Sequence, residues 1–433
     1  METKLARIAE ISKKRPQEKF TSLYHHINKE MLKQCHKELE KNKAAGIDGV
    51  TKTEYAEKLE ENLDRLVKRL KNKGYKPTPA KRVYIPKLNG KKRGLAIAIY
   101  EDKIVQMAMA KIITAVFESQ FEENMYGFRE NKSCHEAIND LIRTIQKEKI
   151  SYVVEADIKG FFDNIDHEWL IECIKQRIVD TNIIRLIKKF LKAGILEDGS
   201  IKETTKGTPQ GSILSPILAN IYMHYVLILW FEKKIKRNFR GKSEIIVYAD
   251  DFVTCFQYRD EAEYFYKELL PKRLSKFKLE LETSKTRLIE FGRFAEENRK
   301  RKGYKRAETF NFLGFTLYCS RSKRNYFKVK VKTERKKYIN KLKEMYQWLK
   351  ENRDRRLKYI IEMINLKLRG HFNYYGYKMN SIMINKFRYQ VIKLLFKQLN
   401  RRSQKRSYTW EEFNKMLEVY PIIKAKACVE III

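Results

Sequence analysis

Six cysteines are scattered through the 433 residues (Cys35, Cys134, Cys173, Cys255, Cys319 and Cys428), and no two form a CxxC pair. That excludes a recognisable zinc ribbon or dithiol redox motif and predicts reduced, structural thiols. No internal repeat or low-complexity tract occurs. The longest apolar stretch, near Tyr225 to Phe231, is far too short to span a bilayer, and the N-terminus lacks the apolar core of a signal peptide. The expectation is a soluble, cytoplasmic protein without a membrane partner.

What the chain does have is positive charge. Lys plus Arg number 92 against 54 Asp plus Glu, a net +38 distributed over all parts of the sequence. A charge of that size repels itself and calls for a polyanion, which makes nucleic acid the leading partner. A hydrophobic content of 43%, with 25 Tyr and 23 Phe, argues for a folded protein with a sizeable core. At this length two or three domains are expected.

The most informative stretch is Tyr248-Ala249-Asp250-Asp251. It lies between the β-rich runs Ile245-Ile246-Val247 and Phe252-Val253-Thr254-Cys255-Phe256, which predicts a hairpin with the acids at its tip. Adjacent side chains on a strand point to opposite faces, so a tight turn is what brings both acids near one accessible site. Hard oxygen donors there suit Mg²⁺; on four residues alone an ordinary Asp-Asp turn is the commoner outcome.

A second acid shifts that balance. Tyr152 to Ile158 predicts a buried strand ending in Asp157, followed by Lys159-Gly160-Phe161-Phe162-Asp163 and a helix from Asp166. If the two strands are neighbours in one sheet, Asp157 and Asp250 converge on a pair of metal ions, an arrangement suited to nucleotidyl transfer. Between them, Gly207-Thr208-Pro209-Gln210-Gly211-Ser212 forms a turn that presents Gln210, and Ser215-Pro216 starts a helix.

The flanks are read more coarsely. Phe20 to Lys43 and Thr53 to Lys71 show helical spacing. Arg82 to Pro86 and Leu95 to Ile99 predict a hairpin bearing Lys87, Lys91, Lys92 and Arg93, either a solvated basic loop or a grip for a triphosphate. Downstream, Ser284-Lys285-Thr286 precedes a strand, Arg293 to Arg306 is an exposed charged loop, and Phe310 to Cys319 is a β segment. Three amphipathic helical patterns follow Lys328, with surfaces dense in Lys and Arg.

In this order, the acid-ended strand, PQG turn, YxDD hairpin, Lys-containing segment and Phe312-Leu313-Gly314 resemble a reverse transcriptase palm. Ala45-Gly46-Ile47-Asp48-Gly49-Val50, Ile85-Pro86-Lys87 with Gly90-Lys91-Lys92-Arg93, Gly207 to Pro216, and Leu368-Arg369-Gly370-His371-Phe372-Asn373-Tyr374-Tyr375-Gly376 resemble group II intron reverse transcriptase/maturases. The resemblance runs from residue 20 to residue 400.

It implies an α+β right-hand polymerase fold: an N-terminal helical extension over 1–80, fingers and palm with an antiparallel sheet over 81–327, a helical thumb or maturase domain over 328–400, and a short basic tail over 401–433. The implied activity is RNA-directed DNA synthesis from an RNA template, a DNA or RNA primer and dNTPs. The implied cofactor is two Mg²⁺, with Mn²⁺ as a substitute, and the implied further partner is a structured intron or noncoding RNA whose splicing and mobility the protein assists.

By the same resemblance Asp157, Asp250 and Asp251 are the catalytic and metal-binding triad. Lys87, Arg93, Phe162, Gln210 and Lys285 contact the incoming nucleotide, Phe162 as the ring that excludes a 2′-hydroxyl. Phe312, Leu313 and Gly314 are the primer grip.

Two departures stand out. After Arg93 the family's Pro-Leu-Gly-Ile-Pro type run is replaced by Gly94-Leu95-Ala96-Ile97-Ala98-Ile99, which leaves the nucleotide contacts of that strand open. After residue 400 no Cys/His cluster of an HNH endonuclease is present, so autonomous target-strand cleavage is not expected. A domesticated relative serving antiviral defence or DNA repair, and a non-catalytic RNA-binding splicing maturase, are the alternatives.

Overall fold

The computed structural model describes residues 2–86, 92–402, 407–427 and 429; Lys87, Lys91 and Cys428 lie outside the described residues. The chain forms two compact units. One comprises Met1–Ala137, Ala156–Thr254 and Asp260–Arg287; the other comprises Ile138–Glu155, Cys255–Arg259 and Leu288–Ile433. Among the described residues the strands are β1 (Ala80–Pro86), β2 (Lys92–Ile97), β3 (Tyr152–Asp157), β4 (Ile195–Glu197), β5 (Ser200–Lys202), β6 (Ser243–Tyr248), β7 (Asp251–Phe256), β8 (Arg287–Glu290), β9 (Thr309–Phe312), β10 (Phe315–Arg321) and β11 (Phe327–Thr333).

Three sheets result, in the orders β2-β1-β4-β5, β6-β7-β3-β8 and β11-β10-β9. The hairpin expected before and after the basic turn is present as β1 and β2, antiparallel from Lys81↔Ile97 to Pro86↔Lys92, so that Arg93 pairs with Ile85. Strands β4 and β5 were not anticipated, although the signal is in the sequence. Asp198 and Gly199 both have positive φ (50° and 78°), the two-residue turn that an Asp-Gly pair favours. The acid-tipped hairpin is β6 and β7, and β3 lies beside β7 as the metal argument requires.

The N-terminal helices follow the expected pattern but are broken where side chains capture the backbone. Residues 20–43, expected as one helix, form a 3₁₀ turn at Tyr24–His26 and a helix over Lys29–Glu38. Asp180 Oδ2 accepts the backbone N–H of Leu23 at 2.6 Å and of Tyr24 at 2.8 Å. The Asn28 side chain then accepts from Met31 N at 3.0 Å and caps the helix that follows. Residues 53–71 split at Lys58 into Lys52–Glu57, with a Thr51/Glu54 capping box, and Leu59–Lys71. A further helix, Glu2–Lys14, precedes these.

In the second unit the three helical patterns appear as Arg335–Asn352, Leu357–Tyr375 and Ser381–Leu399. Their buried stripes, such as Ile360, Ile361, Ile364 and Leu368, are the ones the spacing selects. The chain then returns as a fourth helix, Trp410–Val419, whose Phe413 is fully buried and whose Trp410 stacks on Phe396 at 3.9 Å. The strands and helices together give the α+β class expected. No helix among the described residues is long and apolar enough to cross a membrane.

One buried acid ties the first helices to the sheet. Asp102, 1% exposed, accepts from the Tyr75 hydroxyl and from Thr78 N at 2.9 Å. Burial pushes its carboxyl up to about 6, against the lowering effect of those two donors. An unfolded aspartate titrates near 3.9, so the folded state binds this proton more tightly. The sign follows: this group favours folding below pH ~4 and costs roughly 3 kcal/mol once pH has risen past 6. Urea unfolding of the wild type and of Asp102→Asn between pH 4 and 6.5 should show a flatter stability profile in the variant; parallel profiles would refute the buried-acid account.

Candidate active site

Asp157 is the last residue of β3, Asp250 the second residue of the two-residue loop between β6 and β7, and Asp251 the first residue of β7. At the opposite end, Ser151 N donates to Phe256 O at 3.0 Å, so β3 and β7 run antiparallel. That direction brings the Asp157 end of one strand against the Asp251 end of the other.

The tip is a constrained turn. A two-residue hairpin loop needs positive φ, a task usually given to glycine or asparagine, yet here the residue is Ala249 at φ 57°. The turn is held from one side by the segment before Gly127. Val247 N donates to Asn124 O and Tyr126 N donates to Val247 O, both at 2.9 Å. Gly127 then presses on the turn itself: a Cβ on it would lie 2.2 Å from Ala249 N. Asn220 Nδ2 donates to Gly127 O at 2.8 Å, and the buried Arg129 guanidinium donates to Glu122 O and Met125 O at 2.7 and 2.8 Å. The acid pair therefore sits on a backbone held against the 124–127 segment, which Asn220 and Arg129 hold in turn.

Charge is arranged around it with equal care for sign. Lys285 Nζ forms a short ion pair with Asp157 Oδ2, and this hydrogen bond raises the lysine above its ordinary value. The pair forms because residues 280–282 run alongside the end of β3, Lys159 N donating to Glu280 O at 2.9 Å and Glu282 N to Asp157 O at 2.8 Å. Burial raises the Asp250 carboxyl and the negative charge of Asp157 raises it further, while Arg93 and Lys285 pull it down. Asp157, Asp250, Arg93 and Lys285 thus share one field. Asp251 is exposed, and its charge adds to the rise at Lys285.

Gln210 and Phe162 are stitched to the same framework. Ala96 N on β2, three residues from Arg93, donates to Gln210 O at 2.6 Å. Gly211 at φ 106° comes so close to this strand that a Cβ would lie 2.9 Å from Ala96 O. Because backbone atoms make the contact, the altered run after Arg93 leaves it intact. The other end of the turn reaches Phe162, whose carbonyl accepts from Thr208 N at 2.7 Å. The half-buried Phe162 ring meets Phe161 edge-on at 5.5 Å and the exposed Phe128 at 6.4 Å.

Phe312, Leu313 and Gly314 belong to the other compact unit. Leu313 and Gly314 have φ 47° and 75°, a tight turn between β9 and β10. Tyr374 Oη donates to Leu313 O at 3.0 Å, and a Cβ on Gly314 would lie 3.1 Å from Tyr375 Oη.

Residues 85–317 match the family described as reverse transcriptase (RNA-dependent DNA polymerase). The chain belongs to this family. Its relatives include the group II intron-encoded protein LtrA of Lactococcus lactis, 41% identical over 224 residues, or 51% of this chain and 37% of that protein. Protein YkfC of Escherichia coli is 37% identical over 41% of this chain and 48% of its own length. Nuclear intron maturase 2 of Arabidopsis thaliana is 25% identical over 34% of this chain and 25% of its own. The matched part therefore spans less than half of each. Among solved structures, a telomerase from Candida albicans aligns over 85% of this chain and 65% of that one, with TM-score 0.45 and 12% identity, too weak a likeness to carry an argument. The resemblance to group II intron reverse transcriptase/maturases is borne out by the intron-encoded relatives.

A reverse transcriptase fold holds its divalent ions with carboxylates, and the fit here can be judged from the donors. Among the described residues no group of three His, Cys, Asp or Glu side chains is arranged to hold a metal ion. Two acids in one field remain, Asp157 and Asp250, which is the number of protein carboxylates that Mg²⁺ usually takes beside substrate phosphates. The donor set fits.

Three positioning residues escaped the sequence reading: Gly127, Asn220, and Gln106, whose Oε1 accepts from Ser212 Oγ at 3.2 Å and Ile213 N at 3.1 Å behind the Gln210 turn. Only Gly127 carried a local signal, a glycine between two aromatics in Tyr126-Gly127-Phe128. Overpacking at such a contact costs about 1–3 kcal/mol. Gly127→Ala should therefore lower the denaturant midpoint, whereas Gly370→Ala, in an exposed helical position with nothing within 4 Å, should be neutral or stabilising. Equal effects of the two would show that Gly127 does not press on the hairpin.

Proposed function

We propose that this protein is an RNA-directed DNA polymerase that copies an RNA template by two-metal nucleotidyl transfer. The observation that carries the reading is the shared field of Asp157 and Asp250, at the meeting ends of adjacent strands, with Lys285 paired to one of them. A carboxylate raised by burial, and further by the charge of a second one beside it, is poised to receive a divalent cation. When bound, those ions supply charge stabilisation at the attacking and leaving oxygens.

The chain's own residues do the rest. Asp157 and Asp250 would hold the ions, with Asp251 adding negative potential from its exposed position. Arg93, on the strand tied to the Gln210 turn, and Lys285 place positive charge where triphosphate oxygens and the departing pyrophosphate lie. Lys87 is assigned the same task by family likeness. Gln210 and Phe162 line the nucleotide position, the Phe162 ring against the sugar. Positioning accounts for much of the remaining acceleration. Phe312, Leu313 and Gly314 serve as the primer grip.

The proposed division of the chain is an extension over 1–80, fingers and palm over 81–327, a thumb or maturase domain over 328–400, and a tail over 401–433. The proposed partners are an RNA template, a DNA or RNA primer, dNTPs and a structured intron RNA whose splicing the protein assists. Support for that last partner comes from the intron-encoded relatives and from the net charge of +38.

Extension of a DNA primer on an RNA template with Mg²⁺ tests the reading. Purified protein should extend it, Asp250→Ala should reduce the rate roughly a thousandfold or more, and product at the wild-type rate from Asp250→Ala would sink the assignment. Phe162→Ala should admit ribonucleotides at least ~10-fold more readily; unaltered sugar discrimination would remove Phe162 from the nucleotide position.

A further inference from the structure

We infer that Phe294, Tyr304 and Tyr326 form a stacking platform for single-stranded nucleic acid, on a surface of the second unit separate from its primer-grip turn. This rests on the reading of the protein as a nucleic-acid enzyme and adds a site to it.

The three rings are among the most exposed large side chains of the protein, at 54%, 53% and 71%. Rings of this size are normally buried, and these three are carried by elements that adjoin one another. Phe294 precedes the short helix Ala295–Arg301, and Tyr304 lies in the turn that ends it. Tyr326 lies in the turn joining β10 to β11, where Ser322 N donates to Tyr326 O at 2.8 Å. The elements touch: Arg321 lies 4.0 Å from Glu296 and 3.9 Å from Glu297, and Cys319 Sγ lies 3.6 Å from Gly292 O.

The backbone under two of the rings is held, and the Tyr304 ring itself has a partner. Tyr304 N donates to Arg299 O at 2.9 Å, and the Arg299 guanidinium lies 3.9 Å over the Tyr304 ring, a sandwich with one face left for another planar group. Tyr326 N donates to Ser322 Oγ at 3.1 Å. A ring already held against a guanidinium loses little freedom on binding.

The surroundings are cationic. Residues 293–306 contain seven Lys and Arg against two Glu, and residues 321–328 contain four against none. Glu296 and Glu297 are engaged by Lys300 and Arg321, and Glu308 faces Arg299 at 3.6 Å. Among the described residues Arg301, Lys305, Arg306, Lys323 and Arg324 are exposed and make no ion pair. Basic groups tracking a backbone beside rings that accept bases are what a single strand needs, and every base has a π face, so the site tolerates any sequence. A duplex keeps its bases stacked on one another and offers no face to these rings. An acidic protein would satisfy the charges and leave the rings without purpose.

The test uses the full chain and a fluorescein-labelled 12-nucleotide oligouridylate, its deoxy counterpart and a 12-base-pair duplex. Phe294→Ala/Tyr304→Ala/Tyr326→Ala should weaken both single strands about tenfold or more, the loss expected from one to several stacked bases, and leave duplex affinity within twofold. Cross-linking with 5-bromouridine should map to these rings in the wild type. Tyr326→Ala alone, at an exposed turn, serves if the triple variant does not fold, with a severalfold loss expected. Unchanged single-strand affinity together with no cross-link to the rings would overturn the inference. So would competition by polyglutamate as strong as that by the oligonucleotide, since that would mark a surface for charge alone. Primer extension by the same variants reads the proposed function separately: a protein that binds through the rings but never extends a primer refutes the polymerase and leaves the platform standing.

Discussion

The repulsion between Asp157 and Asp250 is the constraint that the first unit is built to withstand. Like charges sharing one site repel, and a hairpin tip free to move would relax by swinging one acid away. The tip is not free. Its turn is wedged by Gly127, laddered to residues 124–126, and followed by a strand paired to β3. Burial raises Asp250 first and the charge of Asp157 adds to it, while Arg93 and Lys285 act against both. On the proposed reading a bound divalent cation would offset the cost of holding these acids together, so rigidity and charge would be two parts of one device.

The same logic explains why the Gln210 turn is attached where it is. Hydrogen bonds between Ala96 and Gln210 and between Thr208 and Phe162 link the strand of Arg93, the turn and the ring after Asp157 into one backbone circuit. Side chains on such a circuit keep their spacing because backbone atoms hold it, and the departure from the family run after Arg93 costs the circuit nothing. The glycines follow from this geometry. Gly211 sits at positive φ against Ala96 O, a place closed to other residues by both strain and space.

Much of this was legible in the sequence wherever the signal was local. The hairpin announced itself through β-branched flanks around two acids, and the helices of the second unit through their apolar spacing. The Asp157 strand was readable as a buried run ending in a charge. Long-range contacts were not readable. The first expected helix is broken by a carboxylate from residue 180, more than 150 positions away, and the Gly127 contact crosses a comparable gap in the chain. Neither leaves a local pattern, because a capture by a distant side chain depends on the fold that the pattern is meant to predict.

The segment Leu368 to Gly376, legible in the sequence only as a family resemblance, takes its meaning from packing. His371 is the only histidine of that segment. In the structure it is buried, stacked on Phe387 with ring centroids 3.9 Å apart, and pushed down to about 4 by burial with Lys341 adding to the shift. It is neutral at any ordinary pH and behaves as a flat apolar plate. The work of the segment falls to its tyrosines, Tyr374 holding the Leu313 carbonyl and Tyr375 closing over Gly314, with both rings packed near Phe315. Leu313 adopts a left-handed backbone that a bulky residue disfavours, and such a turn persists only where its surroundings over-determine it. The motif is therefore best understood as the brace for that turn, which makes the Phe312-Leu313-Gly314 turn and the Leu368–Gly376 helix end a single structural element despite the distance between them in sequence.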